Sequence, residues 1–564
     1  MQSRREFLAK AASAVAAAPM VGAAGCASMR SHGETARRPN VVLIVTDDQG
    51  YGDFHCHGND SIHTPNLDRL HDESVRFTQC YVSPVCSPTR SSLMTGRYNY
   101  RTGIVDTFQG RSMMYPDEVT IAEVLSGHGY RTGIFGKWHL GDNYPMRPTD
   151  QGFEEALVHK GGGICQPSEP ANNSYFDPIL QHNGAPEKRT GYCTDIFGNA
   201  AIEFIRQHAA EPFFVYLAFN APHSPLIVSG NYSDPYRAMG LDENTAKTYG
   251  MITNLDENVG RLLDALQELR LADNTLVVFL TDNGAAIGDG ERRYNAGLRG
   301  VKGTVYDGGI HVPCFMRWPG ISRPGKEIDR VVAHIDLFPT LLEACRLEAP
   351  HGVRLDGRSL MPLLIGDNTP WADRTLYFQW HRGDAPELYR NCAARSQRYK
   401  LVNGKELYDM VADPAEKNDI ATEHPDIVAK MRRGCEEWFW DVSSMRGYDP
   451  PRIHLGTPHE NPSVLTRQDW RGAESWRDGN VGYWEVKVAR SGVYDILLTF
   501  PQTKAPGVAQ FRFNNVAVQQ PIGQGITTCR FHDVPIRAAD GQLHAYVEVE
   551  GNPEGVTLVT VERL

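Results

Sequence analysis

Two adjacent pairs of oxygen-bearing side chains, Asp47-Asp48 and Asp282-Asn283, each directly follow an apolar run. Each pair can present neighbouring oxygens from one strand end, which is the donor set a hard divalent cation takes. Asp-Asp and Asp-Asn-Gly also form turns and helix caps, and either pair alone would carry that reading. Two pairs together, with Lys137, His139 and His223 at the ends of similar runs and Lys302 beside them in the candidate set, weigh against it. Like charges gathered at one place repel unless a cation joins them. Cys86 is a further candidate. A lone cysteine before Ser87-Pro88 is ordinarily a core or loop residue, but this one opens a C-x-P-x-R spacing that ends at Arg90, with Thr95-Gly96-Arg97 beyond it.

The elements that must position these groups are apolar runs. Val41 to Val45, with three valines, reads as a strand buried on both faces of a parallel sheet, and it ends in Thr46-Asp47-Asp48. Tyr130 to Phe135 ends in Gly136-Lys137-Trp138-His139, Phe213 to Phe219 in Asn220-Ala221-Pro222-His223, and Thr275 to Leu280 in Thr281-Asp282-Asn283-Gly284. Helical stretches lie between them, from Thr120 to Leu125 and from Ile252 to Leu269. The alternation predicts an α/β fold with a doubly wound, mostly parallel sheet, whose ligands bind beyond the carboxyl ends of the strands.

Four segments follow from the patterning: 1–37 as export signal and linker, 38–365 as the catalytic α/β domain, 366–450 as a small antiparallel-sheet subdomain, and 463–564 as an appended β-sandwich. The subdomain is expected to hold short strands around Leu376 to Trp380, Ala394 to Leu401 and Leu407-Tyr408, then a helix from His424 to Trp440. Tyr448 to Pro462 reads as a linker. Beyond it the period becomes two, as in Tyr494, Ile496, Leu498 and Phe500. Trp470 or Trp476 could serve that module as a glycan platform, but aromatics in a sandwich are more often core, so the module is read first as a cover for the catalytic domain.

The chain has 564 residues, 22% of them charged and 41% hydrophobic, which excludes disorder, collagen and coiled coil. A core of that size needs no staples, so stability does not explain the polar clusters. With 68 acidic against 57 basic residues and no long runs, a nucleic-acid partner is excluded, and any anionic substrate must meet local positive charge. Arg4-Arg5-Glu6-Phe7-Leu8, Lys10 and the alanine-rich stretch after them resemble a twin-arginine export signal, with a general-secretion signal as the alternative. Ala23-Ala24-Gly25-Cys26 resembles a lipoprotein box, with Ala23 where leucine is usual. The expected location is therefore outside a bacterial cytoplasm, periplasmic or anchored through a lipidated Cys26. Eleven cysteines without a CxxC pair indicate no zinc site, and free buried thiols are expected over a bridge such as Cys165 to Cys193.

The segment from Cys86 to Arg97 closely resembles the signature of the sulfatase family within the alkaline-phosphatase superfamily, in which the cysteine is oxidised to formylglycine. The resemblance runs from residue 38 to about 440, through Asp47-Asp48-Gln49-Gly50-Tyr51-Gly52, Gly136-Lys137-Trp138-His139-Leu140-Gly141, Thr281-Asp282-Asn283-Gly284 and Arg299-Gly300-Val301-Lys302-Gly303. It implies that Asp47, Asp48, Asp282 and Asn283 bind calcium, ahead of magnesium, with formylglycine at Cys86 adding its own oxygen. It implies also that Arg90 orients the hydrated aldehyde, that Lys137, His139, His223 and Lys302 handle sulfate and protons, and that a separate formylglycine-generating enzyme modifies the chain. Departures lie outside that set: Asp307 and His311 stand where glutamate and arginine are usual, and His55 replaces a common glycine, all bearing on substrate identity.

A sulfate monoester is a stable anion whose hydrolysis needs an in-line nucleophile, neutralised oxygens and a protonated leaving alkoxide. Hydrated formylglycine offers one hydroxyl for attack and a second whose deprotonation expels sulfate. The expected activity is thus hydrolysis of sulfate monoesters on a sulfated carbohydrate. Two alternatives are a phosphodiesterase or phosphonate monoester hydrolase with the same nucleophile, and a catalytically silent glycan-binding protein in which Cys86 stays a thiol.

Overall fold

Val41 to Val45 have no exposed surface, as a β-branched run covered on both faces requires. In the computed structural model, which describes residues 38–366, 370–472 and 480–564, this run forms the centre of a ten-stranded sheet. The signal residues Arg4, Arg5 and Cys26, and Trp476, lie outside the described residues. Four parallel strands, β1 (Asn40–Thr46), β2 (Arg131–Lys137), β3 (Phe213–Ala218) and β4 (Thr275–Thr281), stand in the spatial order β4-β1-β3-β2. Glu155–His159 extends the parallel set beyond β2, and Cys314–Arg317 runs antiparallel beside β4. The first strand thus lies between the third and fourth, an order that opens a crevice beyond the carboxyl ends.

Alternate residues of β1 feed two cores. Val41, Leu43 and Val45 pack with Tyr216, Leu280 and the helix Leu337–Ala344 on one face. Val42 and Ile44 pack with Phe135, Phe279 and two long helices on the other, of which Glu243–Glu268 is the longer. That helix was expected from Ile252; it starts at Glu243 because Asp242 caps it, accepting from the Thr245 N–H. Its first turns bury Ala246 and Tyr249 in a small separate cluster, which the main apolar stripe does not announce.

The small subdomain is a four-stranded antiparallel sheet followed by the helix Pro425–Ser443. The single strand expected from Ala394 to Leu401 is instead two strands, Cys392–Arg395 and Tyr399–Val402, folded back where the Ser396 hydroxyl bonds both the N–H and the carbonyl of Tyr399. The expected linker also needs correction. Ile453–Leu455 within it pairs parallel with Tyr483–Val488, so the sandwich begins ten residues before the predicted boundary at 463, and only three residues carry the signal. A six-membered and a four-membered sheet enclose the sandwich core, where Trp470 and Trp484 are fully buried and stacked 5.4 Å apart. Trp470 is therefore core and no platform for glycan. Met113 and Met146 of the catalytic domain belong to the same apolar cluster, which joins the sandwich to the α/β domain. Among the described residues no helix is long and apolar enough to cross a membrane. Cys165 and Cys193 are both free thiols.

Candidate active site

Thr46 pairs with Thr281 at the ends of β1 and β4, so Asp47 and Asp282 leave neighbouring strands at the same level. The Asp282 N–H donates to the Thr46 carbonyl at 3.0 Å and fixes that level. Asp48 then takes φ of 66°, in the left-handed region that aspartate tolerates better than most residues, and its carboxylate accepts from Asn283 Nδ2 at 2.9 Å. The helix α1 (Cys86–Thr95) supplies the next two groups. Residues four apart lie on one helix face, so the C-x-P-x-R spacing brings Cys86 and Arg90 to the same side, and Pro88 is tolerated in the first turn.

Each carboxylate meets a cation. Lys137 Nζ lies 2.7 Å from Asp47 Oδ2, Lys302 Nζ lies 2.5 Å from Asp48 Oδ1, and Arg90 donates through Nε and Nη2 to Asp282 Oδ2 at 3.0 and 2.8 Å. Asp47, Asp282, Asn283, Lys137 and Arg90 have no exposed surface. Two oxygens in this buried set, Asp47 Oδ1 and Asn283 Oδ1, have no hydrogen-bond partner. Buried acceptors are almost always satisfied, so these two call for a ligand. Donor atoms of Asp47, Cys86 and Asp282 lie within 4.8 Å of one another, as do those of Asp47, Asp48 and His223. The all-oxygen character of the unpaired atoms fits a hard divalent cation.

Burial and the neighbouring Asp47 push the Asp282 carboxyl up to about 6 against the pull of Arg90 and Lys137, which leaves it ionised at neutral pH. Burial acts the same way on Asp48, but Lys302, His223 and Lys137 outweigh it and hold that carboxyl well below its usual range. Lys302 is correspondingly held above the ordinary lysine range, its burial more than offset by Asp48. Burial lowers His223 to about 4, with Asp48 opposing, and sets His139 well below its usual value, with Lys137 adding to the effect. Both imidazoles are therefore neutral. The Thr107 carbonyl 2.8 Å from His139 Nε2 places the proton there and leaves the buried Nδ1 without a partner. In His223 the proton sits on Nδ1, 2.6 Å from the Ser224 carbonyl, and Nε2 faces Asp48 Oδ2 at 3.8 Å.

Cys86, His139, His223 and Lys302 line one cleft of about 620 Å³. All ten residues predicted for the site converge on this place, with Asp47, Asp48, Asp282, Asn283, Lys137 and Arg90 forming the buried layer behind the four that line it. Sequence reasoning missed Phe108, Gln166, Trp380, Arg382, Arg467 and Gln468, which complete the lining from four distant parts of the chain. The loop Gly161-Gly162-Gly163 covers both imidazoles. A Cβ on Gly162 would lie 2.9 Å from His139 Cε1, and one on Gly163 would lie 3.2 Å from His223 Nδ1. A methyl at Gly162 would have to displace Gln166 or His139, and one at Gly163 would fit only if His223 gave by a few tenths of an ångström.

The departures noted in the sequence do not reach the cleft. Asp307 is buried against Lys400 at 2.7 Å and Tyr81, and His311 donates from Nε2 to the Thr78 carbonyl at 2.9 Å. They belong to a network joining the α/β domain to the subdomain through Lys400 and Glu416, so their bearing is on packing. His55 is surface-exposed and pairs with Asp68.

Fold and site together define an alkaline-phosphatase-like α/β hydrolase. A family model described as Sulfatase matches residues 39–346, more than half of the chain, and one described as N-sulphoglucosamine sulphohydrolase, C-terminal, matches residues 301–438. Arylsulfatase A of Homo sapiens is 32% identical over 451 residues, which cover 74% of this chain and 85% of the relative. The N-acetylgalactosamine-6-O-sulfatase of Bacteroides thetaiotaomicron is 28% identical over 491 residues, covering 71% of this chain and 93% of its own. The solved structure of Ps i-CgsB in complex with k-i-k-neocarrahexaose superposes with a TM-score of 0.66 at 30% identity, covering 73% of this chain and 95% of that one. The chain belongs to the sulfatase family, and its activity is that of a sulfuric ester hydrolase.

Proposed function

We propose that this enzyme removes sulfate from a sulfated glycan, using formylglycine made from Cys86 and a calcium ion held by Asp47, Asp48, Asp282 and Asn283. The carrying observation is the pair of unpartnered buried oxygens, on Asp47 and Asn283, beside a cysteine at the first turn of a buried helix. The glycan part is supported by the relatives, among them one named for N-acetylgalactosamine-6-O-sulfate and one bound to a neocarrahexaose. When present, the hydrated aldehyde supplies the attacking and the sulfate-releasing hydroxyls, and the cation supplies positive charge beside them.

The chain's own residues do the rest. Lys302, on the cleft wall, and Lys137, in the buried layer behind it, set ammonium charge beside the residue at 86 where the sulfate is received, in a site whose burial strengthens such contacts. Arg90, clamped on Asp282, holds the residue at 86 in orientation from one turn away. His139 keeps its Nδ1 lone pair open because Nε2–H is committed to Thr107, so Nδ1 can take a proton from a hydroxyl at position 86. His223 presents Nε2 to the cleft. An arriving anion raises the proton affinity of that nitrogen, and with Lys302 it donates to the departing alkoxide.

The test is the mass of the tryptic peptide Phe77 to Arg90 after co-expression with a formylglycine-generating enzyme, taken together with sulfate release from 6-sulfated N-acetylgalactosamine. Aldehyde at 86 with sulfate release is the expected result. Full release from a chain whose Cys86 remains a thiol overturns the nucleophile assignment. We further propose export through the signal at Arg4 and Arg5, so that Arg4→Lys with Arg5→Lys retains active enzyme in the cytoplasm, and normal export of that variant overturns the idea.

A further inference from the structure

Residues 466–472 of the sandwich pack directly on the loop that holds His139. The Gln468 carbonyl accepts from the Gly110 N–H at 3.3 Å, and Arg471 donates to the Gln109 carbonyl at 3.2 Å. The Gln468 side chain donates to the Thr107 carbonyl at 2.7 Å, the same oxygen that fixes the His139 tautomer. One residue earlier, Arg467 lines the active-site cleft, with Nε and Nη2 tied to the carbonyls of Val556 and Gly555 at 2.9 Å. Arg382, from the antiparallel subdomain, lines the same cleft. Its guanidinium lies 4.3 Å from the Phe108 ring centroid and 5.0 Å from that of Trp380. It pairs with Asp106 through Nη1 at 2.8 Å, and its side chain is 52% exposed.

Neither guanidinium pairs with Asp47, Asp48 or Asp282, which Lys137, Lys302 and Arg90 hold; Arg382 pairs instead with Asp106, which is also buried, and Arg467 with backbone carbonyls. A chain with a net charge of -11 repels polyanions at long range, so two guanidinium groups on one cleft mark a place where negative charge is received. The scissile sulfate has its own cations, and these two lie outside them. We propose that Arg382 and Arg467 form a subsite for a second anionic group, a carboxylate or a further sulfate, on the same glycan as the scissile ester. The C-terminal sandwich is then a specificity element of the active site. Guanidinium suits either group: Arg382 bonds Asp106 and Thr107 through Nη1, so its Nε–Nη2 edge can meet two carboxylate or sulfate oxygens as a pair, while Arg467, held through Nε and Nη2, adds fixed positive charge. This inference rests on the sulfated-glycan reading above.

The experiment uses the full-length, aldehyde-bearing, calcium-loaded enzyme and compares kcat/KM on four probes. Two carry one anionic group, 4-methylumbelliferyl sulfate and 6-sulfated N-acetylgalactosamine. Two carry a second, 4,6-disulfated N-acetylgalactosamine and a 6-sulfated N-acetylgalactosamine joined to a uronate. The wild type favours at least one two-anion probe, and whichever it is tells sulfate from carboxylate. Arg382→Gln and Arg467→Ala each lower that preference about thirtyfold, mainly through KM, the loss expected for one charged hydrogen-bonding partner. Arg467→Ala also frees the Val556 and Gly555 carbonyls, so Arg382→Gln, at a half-exposed position, decides if the first variant misfolds. Arg530→Ala, on the outer sandwich surface, leaves the preference as it was. A preference unchanged in Arg382→Gln, or lost equally on all probes, overturns the subsite. If the wild type releases sulfate from none of the probes, the glycan-sulfatase reading fails. The subsite is then judged by calorimetric binding of the disulfated sugar to Cys86→Ser protein, where equal affinity with and without Arg382→Gln overturns it.

Discussion

Asp47 carries its two oxygens in unlike surroundings, Oδ2 against Lys137 and Oδ1 with no donor at all. Lys137→Ala would leave that carboxylate buried and uncompensated, and we expect the metal-free protein to lose about 3–5 kcal/mol in urea unfolding. Cys86→Ala should lower sulfate release by at least about 10³-fold, since it removes the nucleophile and leaves only binding and fixed charge. A second buried carboxyl behaves differently. Asp469, at the junction with the sandwich, is 2% exposed, neither oxygen has a partner, and burial together with the nearby Asp142 pushes its carboxyl up from 3.8 to about 8. Because the folded value is raised, its contribution to stability is full below pH 4, where both states hold the proton. It is lost between pH 4 and 8, where only the folded state does. Asp469→Asn should therefore flatten the stability profile over that window and be the more stable protein at pH 8, which thermal unfolding at pH 5 and pH 8 would check.

At the scale of elements, the loop of three glycines sets the roof of the site. Gly162→Ala would drive a methyl into His139 Cε1 and Gln166, and displacement of a proton-handling group by about 1 Å costs up to about 10²-fold in rate. We expect kcat to fall by about tenfold or more while the melting temperature moves by only a few degrees, because the loop is not part of the sheet. The four strands and their polar ends were legible in sequence, since a strand buried on both faces must be an unbroken apolar run and the groups after it stand out by contrast. Cys86 and Arg90 were legible for a related reason: one helical turn brings them together, so their spacing survives as a motif. Trp380, Arg382, Arg467 and Gln468 left no such trace. They reach the cleft only through packing of the subdomain and the sandwich, and nothing local distinguishes them from surface residues. The strand Ile453–Leu455 and the hairpin at Ser396 were missed because three or four residues hold too little periodicity to outweigh proline, glycine and polar neighbours.

For the whole molecule, the unpartnered oxygens give the proposed calcium ion, or any hard divalent cation in its place, a structural as well as a chemical role to test. Chelation should abolish sulfate release and lower the unfolding midpoint, and calcium returned at 100 times its dissociation constant should restore about 2.7 kcal/mol. An unchanged midpoint across that titration would count against a cation at Asp47 and Asn283. The sandwich clasp also has a meaning in time. Cys86 is 3% exposed in the finished fold, yet Asp282 follows it by 196 positions and Gln468 by 382. At the usual pace of synthesis, about 5–20 residues per second, the ribosome needs about 20–80 s after making Cys86 before it reaches the residue that closes over His139. Under the proposed formylglycine reading, that interval is when a modifying enzyme would reach the thiol, before the residues that bury it have been made.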